Sequence, residues 1–199
     1  LTRNTSGTIE STVSVNQDAG FSIVKYKGNG TAGATVGHGL SAKPEFILFK
    51  NLDTAVSWIA YDTINNVIGY LDIDDPLTDG RRAWAVNNTD PTNTLVTLGN
   101  NQATNAASDF IMYCWHSVAG YSKIGSYSGG STNTIPTGFK PSWVMVKNIG
   151  SGYWNILDSR RGGDSNNNVI YANDSAAEST HSDRVITFQN NGFSLISNS

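Results

Sequence analysis

Lys43-Pro44-Glu45-Phe46-Ile47-Leu48-Phe49-Lys50-Asn51 returns later in the chain as Lys140-Pro141-Ser142-Trp143-Val144-Met145-Val146-Lys147-Asn148. Each copy has a Lys-Pro entrance, a short apolar run and a Lys-Asn exit. Proline has no N–H to give to a ladder, so it belongs at a strand entrance. A short apolar run bounded by polar residues reads as a strand, because a helix needs more length. The likeness extends in both directions at a period of about 100 residues. Upstream, Gly20-Phe21-Ser22 opens a strand ending at Tyr26, then Gly28-Asn29-Gly30-Thr31; Gly120-Tyr121-Ser122 opens one ending at Tyr127, then Gly129-Gly130-Ser131-Thr132. Gly39-Leu40 has its counterpart in Gly138-Phe139. Downstream, Trp58 with Asp62 matches Trp154 with Asp158, and Asn66-Val67-Ile68 matches Asn168-Val169-Ile170.

Around these anchors, short β-rich runs recur at 21–26, 45–50, 57–61, 66–71, 95–98, 110–115, 143–147, 153–157, 169–171 and 184–188, each bounded by Gly, Asn or Pro. No window carries a convincing helical period. The polar residues are mostly Asn, Ser, Thr and Gly, which bond to their own backbone and favour turns. The expected fold is all-β, an antiparallel β-sandwich of jelly-roll or lectin-like type with an internal pseudo-repeat. Residues 1–19 form an N-terminal extension or first strand, 20–119 the first repeat and 120–199 the second. The copies are either two small domains or two halves of one sandwich sharing a single apolar interior. The strand-like link from 110 to 121 favours the second arrangement.

The copies differ at their ends. The first closes on the strong run 110–115, whereas the second passes 185–188 and Asn190-Asn191-Gly192-Phe193-Ser194-Leu195-Ile196 without a counterpart. A sheet lacking an expected strand exposes unpaired backbone. The expectation is that residues beyond Ser199, or another chain, supply that strand.

Composition excludes several classes. The chain has 199 residues, 15% of them charged, with a net charge of −3. No basic stripe suits nucleic-acid phosphates. The longest apolar runs, 46–49 and 110–115, fall far short of the ~20 residues of a spanning helix. The lone Cys114 excludes an internal disulfide framework, and its apolar surroundings suit an inert buried thiol.

Chemistry-bearing residues are sparse. His38, His116 and His181 lack ligand spacing, and no serine occupies a nucleophile elbow. Asp72, Asp74, Asp75 and Asp79 form the densest acidic cluster, a weak calcium candidate interrupted by Pro76 that reads equally as a solvated turn. Asp62, Asp72, Asp74 and Asp158 are the carboxylates available to hydrolyse a glycan, which needs two of them roughly 5–9.5 Å apart. Asp158-Ser159-Arg160-Arg161 reads as a structural ion pair. No cofactor motif is present. Trp84, Tyr153 and Trp154 lie beside loops and are the candidates for stacking on a sugar, with core packing as the plainer alternative.

Several segments together resemble a domain of unknown function found in phage tail-fibre and other virion structural proteins, often of marine phages. They are residues 20–26 and 28–40, Tyr113-Cys114-Trp115-His116, Gly120-Tyr121-Ser122-Lys123, residues 138–144, Asp158-Ser159-Arg160 and Asn190-Asn191-Gly192-Phe193. The likeness runs from Ser11 onward. In that family the second copy usually ends in an aromatic strand, absent here, and the connection 129–137 is longer. The resemblance implies a virion location, a homotrimer and other virion proteins as partners. It brings no catalytic residues. The expectation is therefore a non-enzymatic virion structural module, a tail-fibre or appendage piece for host attachment that contacts a host-surface glycan. The alternatives are a capsid decoration or cement protein and an envelope-polysaccharide depolymerase.

Overall fold

The run from 109 to 115 is apolar on both faces, with Phe110, Met112 and Cys114 on one and Ile111, Tyr113 and Trp115 on the other. Such a strand belongs in the middle of a sheet. In a computed structural model describing residues 1–129, 134–180 and 184–197, it does lie there. The strands β1 (Thr2–Asn4), β2 (Ser11–Asn16), β3 (Phe21–Lys27), β9 (Asp109–Trp115), β5 (Phe46–Asn51), β6 (Ile59–Asp62) and β7 (Val67–Tyr70) form one seven-stranded antiparallel sheet in that order. Residues 1–19 thus supply its first two strands.

A two-stranded sheet, β4 (Thr35–Gly37) with β8 (Leu95–Thr97), and a short helix α1 (Arg82–Val86) close one face. Between them lies the first core, with Val24, Ile47, Phe49, Tyr61, Phe110 and Met112 fully buried. The second half has two four-stranded sheets. One is β11 (Trp143–Lys147), β12 (Trp154–Asp158), β14 (Asn168–Tyr171) and β15 (Ser179–Thr180). The other is β10 (Thr134–Pro136), β17 (Gly192–Ser197), β16 (Arg184–Gln189) and β13 (Ser165–Asn166). A short helix α2 (Ser159–Gly162) follows β12. The second core, Val144, Leu157, Val169, Ile186, Phe188 and Phe193, fills the space between them.

The protein is nearly all β, and its antiparallel sheets do not close into a barrel, as expected of a sandwich. The expected single interior is replaced by three clusters. Phe46, Leu48, Ala60 and Val67, on the second face of the large sheet, meet Met145 and Trp154 of the second half in a junction core. Strands with apolar residues on both faces, β5 above all, make this stacking necessary. Backbone bonds fasten the junction: Leu77 N–H donates to Ile149 C=O (2.8 Å) and Gly152 N–H to Asp74 C=O (2.9 Å).

The pairing pattern occurs twice. Phe46 faces Asp62 and Phe49 faces Ile59 across β5 and β6; Trp143 faces Asp158 and Val146 faces Asn155 across β11 and β12. Thr35 faces Thr97 across β4 and β8, and Thr134 faces Ser194 across β10 and β17. Gly39 and Gly138 both hold positive φ, +78° and +87°, which only glycine adopts at no steric cost. The matching of Asn66-Val67-Ile68 to Asn168-Val169-Ile170 is off by one. Gly69 faces Ala60 where Ile170 faces Ile156, so Val67 stands where Asn168 does. The connection carrying α2 and β13 is longer than its counterpart, and the repeated Asn-Val-Ile misleads.

A larger correction concerns the strand expected between Gly120 and Tyr127. Residues 121–129 form no strand, and Tyr121 and Tyr127 are exposed. Its counterpart β3 is held between β2 and β9, and no described strand flanks the second copy in this way. Without a ladder to join, the sequence pattern alone does not make a strand. His181 and residues 130–132 lie outside the described residues.

Candidate functional site

The face of the large sheet turned away from the first core carries aromatic residues in register. Pairing puts Phe21, Trp115 and Phe46 abreast across β3, β9 and β5, with Ile23, Tyr113 and Leu48 in the next row. The second half covers Phe46 and Leu48. Phe21, Tyr113 and Trp115, over β3 and β9, stay half-buried.

These rings form a platform with Trp58, which precedes β6. Centroids are 4.9 Å apart for Phe21 and Trp115, 6.0 Å for Tyr113 and Trp115, and 6.2 Å for Trp58 and Tyr113. Their planes are inclined by only 29°, 22° and 24°. Phe21 and Tyr113 are nearly parallel, at 7°. The Lys50 ammonium sits 5.9 Å from the Trp58 ring centroid and donates to the Val56 carbonyl. Stacked rings at these spacings hold one another in place, so the platform is rigid before anything meets it.

The platform escaped the sequence reading, which took 110–115 as one buried strand. The signal was its second apolar face: Ile111, Tyr113 and Trp115 need a cover of their own, distinct from the first core.

The sequence candidates lie elsewhere. Trp84, in α1, is half-buried against the first core. Trp154 is 4% exposed in the junction core, its Nε1–H donating to the Tyr70 carbonyl at 2.9 Å. Tyr153 is 40% exposed, its ring tilted against that of Tyr171 with centroids 4.6 Å apart. Trp84 thus lies apart from the adjacent pair Tyr153 and Trp154, of which Trp154 enters the junction core.

The acidic loop is tied into the junction. Asp75 pairs with Arg81 (3.1 Å), whose guanidinium lies 4.6 Å from the Tyr70 ring centroid, and the Asp74 carbonyl accepts from Gly152. Asp79 opens a 3₁₀ turn capped by Thr78. Among the described residues, no group of three or more His, Cys, Asp or Glu side chains is placed to hold a metal ion.

Asp62 and Asp158 occupy equivalent positions and have equivalent work. Asp62 accepts from the Ile64 and Asn65 amides, Asp158 from those of Arg160 and Arg161. The Arg161 guanidinium, 2.5 Å from the Asp158 carboxylate, holds that carboxyl below its usual range and also reaches Glu178. Cys114 is fully buried, and burial pushes its thiol far up, away from the reactive thiolate. His38, wholly buried, accepts from Leu40 N–H at Nδ1 and faces the Thr92 carbonyl through Nε2. Burial brings its pKa down to about 4.

Fold and surface together define an all-β domain of stacked antiparallel sheets with an aromatic platform over the central strands of its largest sheet. Residues 2–199 match the family described as a domain of unknown function, DUF7483, and the chain belongs to that family. No curated protein and no solved structure matches it. No described helix is long and apolar enough to cross a membrane.

Proposed function

We propose that the chain is a non-enzymatic attachment module of a virion appendage such as a tail fibre, and that its platform binds a neutral, hydroxyl-rich glycan of the host surface. The observation that carries this reading is the half-buried row Phe21, Trp115, Tyr113 and Trp58, with near-parallel planes. Flat apolar rings offer a face to sugar C–H groups, and contiguous apolar surface on a soluble domain marks an interaction site. The chain as a whole is poor in charge and rich in Asn, Ser and Thr, whose amides and hydroxyls pair with sugar hydroxyls without stripping water from a full charge. Other virion proteins are its structural partners, and a homotrimer multiplies weak contacts by copy number.

Glycan arrays probed with the purified protein test the reading. Retention of a neutral glycan that falls at least about tenfold with Trp58→Ala, while Trp84→Ala binds as wild type, is the expected result. Release of reducing sugar ends from host polysaccharide makes the protein a depolymerase and overturns it. Antibody labelling of intact particles on the capsid shell rather than the tail makes it a decoration protein instead.

A further inference from the structure

In the first half, β5 is paired on both sides, with β6 on one and β9 on the other. In the second half, β11 pairs with β12, and no other described strand pairs with it. Bonded and non-bonded pairs alternate along an antiparallel ladder. Ser159 N–H donates to the Ser142 carbonyl, so Val144 and Val146 bond toward β12. The N–H and C=O groups of Trp143, Met145 and Lys147 then point to the free edge. Their counterparts Phe46, Leu48 and Lys50 are the residues paired with Trp115, Tyr113 and Ile111 of β9.

The side chains repeat the difference. Phe49 and Ile47 are fully buried, whereas Val146 is only half-buried and Val144 is 8% exposed. Asn51, which donates to the Gln102 carbonyl, is buried, whereas Asn148 is exposed. Trp143 is 54% exposed. Among the described residues, no strand flanks the second core where β9 closes the first.

We infer that the free edge of β11 is a strand acceptor, and that its occupant is an extended segment of another polypeptide with the chemistry of β9. That segment runs antiparallel and is apolar on both faces. It places one apolar side chain opposite each of Trp143 and Met145, and a second set over Val144 and Val146. Backbone pairing supplies the bonds and the alternate side chains supply the selectivity. The inference does not depend on glycan binding.

The test uses the whole chain and a labelled synthetic peptide with the sequence of residues 108–116, carrying Cys114→Ser. Saturable binding is expected, with amide exchange at Trp143, Met145 and Lys147 slowed about tenfold or more. Met145→Pro removes one N–H that faces the open edge and no bond to β12, together with a side chain of the junction core; in the folded variant peptide affinity drops about tenfold or more. Should that variant fail to fold, the peptide carries the test. N-methylation at Tyr113, whose amide faces β11, abolishes binding, while N-methylation at Met112 leaves it within about twofold. Equal binding of both methylated peptides, or of a scrambled one, overturns the inference. So does a dimer of the chain alone that protects the same three amides, because a second copy then holds the edge.

Discussion

Ile47 and Phe49 of β5 are sealed from water, while of their counterparts in the same register of β11 Val144 is buried with 8% exposure and Val146 is only half-buried. Both strands enter after Lys-Pro, leave through Lys-Asn and pair with a strand ending in a capping aspartate. Local sequence is therefore not what separates them. The neighbour is: β9 completes the first sheet, and nothing described completes the second. A buried side chain contributes in proportion to the area it removes from water, so the same strand stabilises the two halves unequally. The sharpest way to break this comparison is to truncate both members. Phe49→Ala removes a fully buried ring and is expected to cost about 3–5 kcal/mol in urea denaturation. Val146→Ala removes two half-buried methyl groups and costs about 0.5–1 kcal/mol. Equal losses would mean that the second core is as closed as the first.

Acid separates the halves next. His38 and Thr137 stand at equivalent places, each with its amide bonded back to the next strand's entry, at Thr94 and Asn191. At this place only the first copy carries a titratable side chain. Folded His38 holds its proton only below about 4, whereas the unfolded side chain takes one below about 6.5. Between those values the unfolded state binds more protons, so stability falls as pH drops through that window, by about 3 kcal/mol in all. Denaturation midpoints measured from pH 7 to pH 4 check this, and His38→Gln is expected to flatten the slope. An unchanged slope in that variant would assign the acid sensitivity to the carboxylates.

Much of the strand pattern was legible because period-two alternation and punctuation by Gly, Asn and Pro are local properties. The Lys-Pro entrances marked β5 and β11 within a residue. Strands defined by their partners were not legible. β4 is three residues long and exists because it pairs with β8, whose own run at 95–98 was legible. Residues 121–127 carry β3's pattern and form no strand for want of neighbours. The platform was hidden for a related reason. Sequence shows that Tyr113 and Trp115 share a face, but not that the second half stops short of covering it. For Trp154 the plainer reading, core packing, is the one the structure shows, although its place beside a glycine-rich loop gave no hint of which sheet would cover it.

The smallest expected effect concerns that tryptophan and its counterpart. Trp154 and Trp58 each precede the shared Asp by four residues, and each carbonyl accepts a backbone N–H from the strand alongside, Ala172 and Leu71. They differ in what their rings meet. Trp154 is packed between the halves and bonded to Tyr70, while Trp58 is half-buried beneath Lys50. Trp154→Phe keeps most of the apolar contact and leaves the Tyr70 carbonyl without that donor, at a cost of about 1–2 kcal/mol. Trp58→Phe loses only ring area beside water and costs about 0.5 kcal/mol or less. Thermal denaturation of the two variants resolves the difference. If Trp58→Phe proved the more damaging, the platform would be part of the core rather than a surface for a ligand, and the attachment reading would lose its support. The order given follows from burial alone: the second half spends its tryptophan on the junction, and the first leaves its own at the surface.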